Sequence, residues 1–450
     1  MKRKSRKKRR NNNFLIIVAL LLTIAIVLVL FEIIQKMNGN TPPETVSPSQ
    51  TTTAEPDPTL EPTPEATPTP TPEPTPTPEP TPTPVPEPTP INGITPYPEI
   101  DYDSRSTRTL DRPVKALYLN ARSVKTNLDH YIELANSTEI NAFVIDIKND
   151  AGQIMYDSDI DVINAAGADT DFDIRAVTKK LHDNNIIVIA RMVAFKDSTM
   201  TKYNPDLAIK TADGKVWNQG TMWLDPTKKA SWDYLLSIAQ EAVNFGFDEI
   251  QFDYIRFPET SLYTYKMDFV EGQTRSGAIE NFIRYMRINL PADTILSADI
   301  FGMPMIATKD YGEIGQTLET IGYSLDYICP MIYPSHFANA APKGSGSMAN
   351  GVGQTINGIK FTHPDLKPYE IVYNTLLVGK NRIDKQEGYN LNVRAYIQGF
   401  TLTGLPKGYG KTYGVEEYRA QIKAINDAGY DEWIFWNAPN NYVEDAFLPE

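Results

Sequence analysis

Between residues 112 and 445, apolar runs with strand-like alternation recur eight times, separated by segments with helical spacing. The runs are VKALYLN (114–120), NAFVIDIKND (141–150), IIVIARMVAF (186–195), FDEIQFDYIRF (247–257), ILSADIFG (295–302), DYICPMIYP (326–334), NVRAYIQGF (392–400) and DEWIFWN (431–437). Helices are expected over 123–137, 173–184, 227–245, 278–289, 314–324, 368–379 and 415–428. Eight strands alternating with helices predict an α/β fold, a (β/α)8 TIM barrel with insertions. An open doubly wound sheet is the rival. It usually carries a glycine-rich phosphate turn after an early strand, where this chain has NARS.

The chain before the repeats has a different character. Residues 1–13 form a basic tail with eight Lys/Arg between positions 2 and 10, and FLIIVALLLTIAIVLVLF (14–31) follows. That apolar run is about the ~20 residues that span a bilayer, and FEIIQKMNGN after it lacks the small-x-small site of a cleaved signal peptide. The expectation is a single transmembrane anchor over 14–34. The basic flank puts the N-terminus in the cytoplasm and the rest outside the cell. Residues 41–98 are read as a disordered Pro/Thr/Glu-rich linker: 19 prolines fall between 41 and 90, with no Lys or Arg. Such a segment favours extended polyproline-II conformations and acts as a spacer.

Composition narrows the function. The formal net charge is −13, and the region from 101 onward keeps nearly all of it, which disfavours nucleic acid as a partner. The single cysteine, Cys329, allows no internal disulfide, so stability must come from a large core. Four histidines, no HExxH and no Cys/His cluster lead to an expectation of no metal and no cofactor.

In a parallel barrel one strand face meets the helices and the other fills the interior, and the C-terminal strand ends open at the mouth where chemistry sits. A two-residue period then points Tyr118, Asn120, Asp146, Lys148, Arg191, Glu249, Gln251, Asp253, Ser297, Asp299, Tyr333, Gln398 and Trp436 inward. Ile145, Ile147, Ile250, Phe252, Ile300, Ile328 and Ile332 point outward. Buried charges cost several kcal/mol unless paired, so converging acids and bases mark a site. Asp253 and Asp299 end adjacent strands and are the leading catalytic candidates, with Asp146 third. Tyr118, Asn120, Lys148, Arg191, Trp223, Gln251, Tyr254, Arg256, Tyr333, His336, Gln398, Trp436 and Asn437 are the candidate substrate-binding residues; aromatic faces among them would stack on sugar rings. Glu249 lies deepest and is expected to pair with Arg191 or Lys148. Arg256 is expected to pair with Asp253 or Glu259, Asp225 to cap a helix, and Cys329 to be a small core residue.

The stretch GFDEIQFDYIRFP, with WLDP upstream and DEWIFWNAPNNY near the end, closely resembles the "putative glycosyl hydrolase domain" family of barrels on bacterial surface proteins, over about 112–445. The resemblance implies a TIM barrel and glycoside hydrolysis. A more distant similarity is to the chitinase-like family 18 enzymes, whose fourth strand reads D-x-x-D-x-D-x-E. Asp248, Gln251, Asp253 and Ile255 fall on those places, so two acids match while the catalytic glutamate does not. Tyr333 and Trp436 fit that family's sixth- and eighth-strand positions. Without a glutamate at 255 the substrate-assisted mechanism does not carry over, and Asp253 and Asp299 must supply the chemistry. A nucleophile on the fourth strand and an acid on the fifth is also the positional arrangement of α-amylase-type barrels.

The expected protein is a membrane-anchored extracellular glycoside hydrolase acting on cell-surface or environmental polysaccharide by a two-carboxylate mechanism. The rivals are a non-catalytic glycan-binding or wall-attachment module, and a polysaccharide deacetylase. The deacetylase would need a metal set that His336 and His363 alone do not make.

Overall fold

The structure, a computed structural model, describes residues 108–449 except 260–264, 267–268, 270–273, 344, 347–348 and 387. The basic tail, the anchor and the linker therefore lie outside the described residues. No helix among the described residues is long and apolar enough to cross a membrane.

Parallel strands close a ring: β1 (Lys115–Leu119), β2 (Ala142–Lys148), β3 (Ile187–Val193), β4 (Glu249–Asp253), β5 (Ile295–Phe301) and β6 (Tyr327–Ile332) pair in chain order. Apart from these, β7 (Gln354–Ile356) and β8 (Ile359–Phe361) form an antiparallel hairpin in the long connection after β6. The seventh barrel strand comes in two pieces, β9 (Asn392–Val393) and β10 (Ala395–Gln398), both paired with β6. The eighth, β11 (Trp433–Trp436), pairs with β10 and β1 and completes the barrel. The barrel sheet thereby closes on itself.

Helices cover the outside. α1 (Ala121–Ser137) starts at Asn120, α3 (Ile174–His182) at Asp173 and α6 (Arg275–Asn289) at Thr274; each of these side chains accepts a first-turn backbone N–H. Between them come α2 (Asp161–Ala166), α4 (Ser198–Tyr203) and α5 (Lys229–Asn244); α7 (Leu318–Ile321), α8 (Pro368–Ile383) and α9 (Val415–Asp427) complete the set. Two departures from the expected pattern matter. The helix expected over 314–324 shrinks to α7, because the Asp310 carboxylate accepts the backbone N–H groups of Ile314 and Gly315 and Gln316 Oε1 accepts Phe301 N. Residues 302–317 are thereby held as a loop against the end of β5. Asp225 makes an Asx turn with Thr227 rather than capping α5, whose N-cap is Lys228.

The two strand faces separate as their periodicity requires. Leu117, Phe143, Ile145, Ile147, Val188, Ile250, Phe252, Ile300, Ile328 and Ile332 join the large core beneath the helices, while Ala116, Tyr118, Val144, Ile189, Cys329, Tyr396 and Ile434 fill the barrel interior. The interior also holds ionic groups. Arg394, in the gap between β9 and β10, places Nη1 2.8 Å from both carboxylate oxygens of Glu249 and Nε 2.6 Å from Glu432. Glu249 thus pairs with Arg394, not with Arg191 or Lys148 as expected from the sequence.

Candidate active site

At the C-terminal end of the barrel, Arg191 gathers three carboxylates. Nε lies 3.0 Å from Asp253 Oδ2 and 3.9 Å from Asp299 Oδ2; Nη2 also bonds Asp253 Oδ2, and Nη1 bonds Asp146 Oδ1. Tyr118 OH donates to Asp146 Oδ2 at 2.6 Å. Strand register dictates this convergence: Asp146 is opposite Arg191, Arg191 opposite Gln251, and Phe252 opposite Ala298, so Asp253 and Asp299 are lateral neighbours. The shared nitrogen keeps their Oδ2 atoms within about 7 Å of each other.

The two carboxyls differ in environment. Asp253 Oδ2 is ion-paired, and Oδ1 accepts the backbone N–H of Tyr254 at 2.5 Å. Tyr254 has φ +47°, an uncommon conformation for a bulky residue and one often found at functional sites. Asp299 is 2% exposed, and its Oδ1 is buried without a hydrogen-bond partner. Burial, reinforced by the charge of Asp253, pushes the Asp299 carboxyl well above the usual carboxylate range despite the opposing pull of Arg191. Burial also raises Asp146, again against Arg191.

Above this cluster opens a cavity of about 470 Å3, a size that suits a small ligand or sugar units. Arg191, Asp253, Tyr254, Arg256, Tyr333, His336 and Trp436 line it, so seven of the residues singled out in the sequence meet at one mouth. Trp436 stacks on Tyr333 with centroids 5.9 Å apart and on Tyr118 at 6.1 Å, and Phe400 stands edge-on to both Trp436 and Tyr333. His336 is exposed, its ring edge-on to Tyr333. Asp299, Asp146 and Tyr118 lie just outside the lining, touching it through Arg191 and Trp436.

Other candidates are placed elsewhere. A register shift in β2 sets Lys148 opposite Met192, so its side chain leaves the interior; Nζ lies 2.9 Å from Asp197 and donates to Val193 O at 2.8 Å. Gln251 is fully buried, its amide engaged by Tyr396 OH and Cys329 Sγ. Gln398 bonds Ser335, Asp365 and Phe400 O, joining the loops after β6 to the seventh strand. Asn120 caps α1 and donates to Ala438 O, and Asn437 donates to Gly399 O and Asn441 O. Trp223 is buried behind the wall, against Arg256 and Tyr254. Asp248, the first family 18 acid position, accepts Val188 N at 2.8 Å at the opposite strand end, and Ile255 is fully buried.

Phe301, Gly302, Met303, Tyr311, Gln316, Met331 and Phe337 also line the cavity without having been singled out, beside Glu259, which pairs with Arg256 as expected. Most come from the 302–317 loop and the turn after β6. The available signal was the length of the segment after β5, because catalytic loops of a barrel follow its strand ends. Among the described residues no group of three or more His, Cys, Asp or Glu could hold a metal ion.

Among solved structures, a "hypothetical protein" from Ruminiclostridium thermocellum is 45% identical over 41% of this chain and 96% of its own, with a TM-score of 0.38. The "PgaB (BpsB) glycoside hydrolase domain" from Bordetella bronchiseptica is 12% identical, covers 75% of this chain and 99% of its own, and has a TM-score of 0.53, a likeness of fold. The Bacillus cereus "spore cortex-lytic enzyme SleL" is 10% identical over 76% of this chain and 74% of its own, at a TM-score of 0.44. A search of curated proteins finds no match. A family model described as "Putative glycosyl hydrolase domain" matches residues 116–442, which take in every barrel strand but the first residue of β1; the chain belongs to that family.

Proposed function

We propose that the barrel is a glycoside hydrolase that cleaves polysaccharide with two carboxyl groups at its C-terminal mouth. The observation that carries this reading is the asymmetry of Asp253 and Asp299 around one guanidinium. Asp253 borders the cavity and is ion-paired, which suits a nucleophile or base; burial pushes the Asp299 carboxyl well above the usual carboxylate range, which suits an acid. In this reading Asp299 protonates the departing glycosidic oxygen while Asp253 attacks the anomeric carbon or activates water. Asp146 orients Arg191, and Tyr333 and Trp436 present rings to the sugar. The test is release of reducing ends from a polysaccharide panel by the full chain and its Asp253→Asn and Asp299→Asn variants. Equal release by all three would overturn the assignment.

A second reading is a glycan-binding module without turnover. It is favoured by Ile255 at the family 18 glutamate position and by the engagement of both Asp253 oxygens. Saturable binding with no cleavage of any tested glycan would establish it.

The N-terminal segment completes the proposal: residues 14–34 anchor the protein in the cell membrane, with residues 1–13 cytoplasmic and the barrel outside, held off the bilayer by 41–98. Fractionation of cells, with protease added to intact ones, tests it. The chain should sediment with membranes while the barrel is removed from outside.

A further inference from the structure

Two arginines line the cavity, and their charges are met differently. Arg191 faces Asp253, Asp146 and Asp299, and the first two of these attractions outweigh burial to raise its pKa. Arg256 is equally secluded, 8% exposed against 9%. Among the described residues its ion-pair partner is Glu259, 3.3 Å away with a side chain 58% exposed. Nη1 donates to Phe257 O at 3.0 Å. The guanidinium otherwise packs among the rings of Trp223, Tyr254 and Phe301, 5.1, 5.2 and 4.8 Å from their centroids. Rings hold the planar group in place and exclude water from it, yet they neutralise little of its charge. Burial accordingly lowers the pKa of Arg256, opposite to Arg191.

A secluded cation whose one ion-pair partner is largely in solvent, with Asp253 a further, weaker attraction already committed to Arg191, is suited to receive an anion. We propose that Arg256 receives the carboxylate of an acidic sugar, so that the glycan this cavity takes contains uronic acid residues. The inference rests on the cavity being a carbohydrate site and adds the class of sugar. The planar fork of arginine matches a carboxylate with two parallel hydrogen bonds. Glu259, already largely in solvent, is the group that a sugar carboxylate would displace.

Calorimetric titration of the full chain with oligogalacturonate, its methyl ester and a sulfated oligogalactan tests the proposal. The acid should bind about tenfold more tightly than the uncharged ester, the scale of one charge-assisted interaction, and more tightly than the sulfate ester. Arg256→Gln should abolish the difference between acid and ester. Glu259→Gln, at a side chain 58% exposed, should tighten acid binding several-fold more than ester binding. Equal binding of acid and ester, preferred binding of the sulfate, an unchanged preference in Arg256→Gln, or no tightening in Glu259→Gln each overturns the proposal. Equal binding with cleavage would leave the hydrolase reading standing. Acid-selective binding without cleavage would sink the hydrolase reading and leave this one.

Discussion

Asp253 and Asp299 share one nitrogen, Arg191 Nε, but unequally: their Oδ2 atoms lie 3.0 Å and 3.9 Å from it. The nearer carboxylate takes two bonds from the guanidinium, while the farther keeps an unpartnered buried oxygen. Unequal sharing of one arginine leaves one neighbouring acid ion-paired and the other, pushed up by burial, inclined to keep its proton, a division of labour that acid–base catalysis uses. Replacing either acid should therefore be costly. Asp253→Asn and Asp299→Asn are each expected to lower kcat at least about 100-fold, with KM changed little, as measured by initial rates on the best substrate of a panel.

Asp299 also makes stability depend on pH. Its folded pKa is raised, so between the unfolded value of about 3.9 and the folded value the native state holds a proton that the unfolded chain has lost. Stability from this group is complete below about pH 3.9 and declines as pH rises towards the folded pKa. The Tm of wild type relative to Asp299→Asn should fall steadily from pH 4 upward. A constant difference between pH 4 and pH 8 would contradict the assignment.

Trp436 stacks between Tyr118 and Tyr333 with part of its ring facing the cavity. Trp436→Ala should raise KM or the oligosaccharide Kd about tenfold, with a smaller effect on kcat, because apolar aromatic surface lining the cavity is lost and the stack that steadies Tyr333 is loosened.

The buried Glu249–Arg394 pair supports the barrel from below. Arg394→Met leaves Glu249 charged and without its cation, with only Ser297 Oγ still donating to it, and should cost about 3–5 kcal/mol in urea unfolding. Glu249→Leu combined with Arg394→Met should lose less than Arg394→Met alone, since only Glu432, at 14% side-chain exposure, is then left without its cation and the deeper Glu249 charge is gone.

Gly152 sits at φ +91°, and a Cβ there would come within 1.9 Å of Asp197 Oδ1, the carboxylate that meets Lys148. Gly152→Ala should lower stability by about 2 kcal/mol or more, from backbone strain and displacement of a buried ion pair. Thermal unfolding at neutral pH measures it.

The eight-fold alternation and the two-residue period of each strand were enough to place the barrel, its outward isoleucines and the inward positions of Asp253, Asp299, Tyr333 and Trp436, because a closed parallel barrel gives each face one environment. Lys148 broke that pattern: a register shift after Asp146 reverses its direction, and nothing in IDIKND announces it. Arg394 was not singled out as the partner of Glu249, 145 residues away, because only ring closure brings the seventh strand across from the fourth. Gln251, Gln398 and Asn437 carry the same functional groups as sugar-binding residues, and only their neighbours reveal that those groups are already occupied. Periodicity alone determined the fold and, Lys148 apart, which strand side chains face inward, since it records burial along one strand. Which inward groups meet a cavity and which pair with each other was decided by the tertiary structure, since ion pairs and voids depend on distances between strands that the chain does not encode locally.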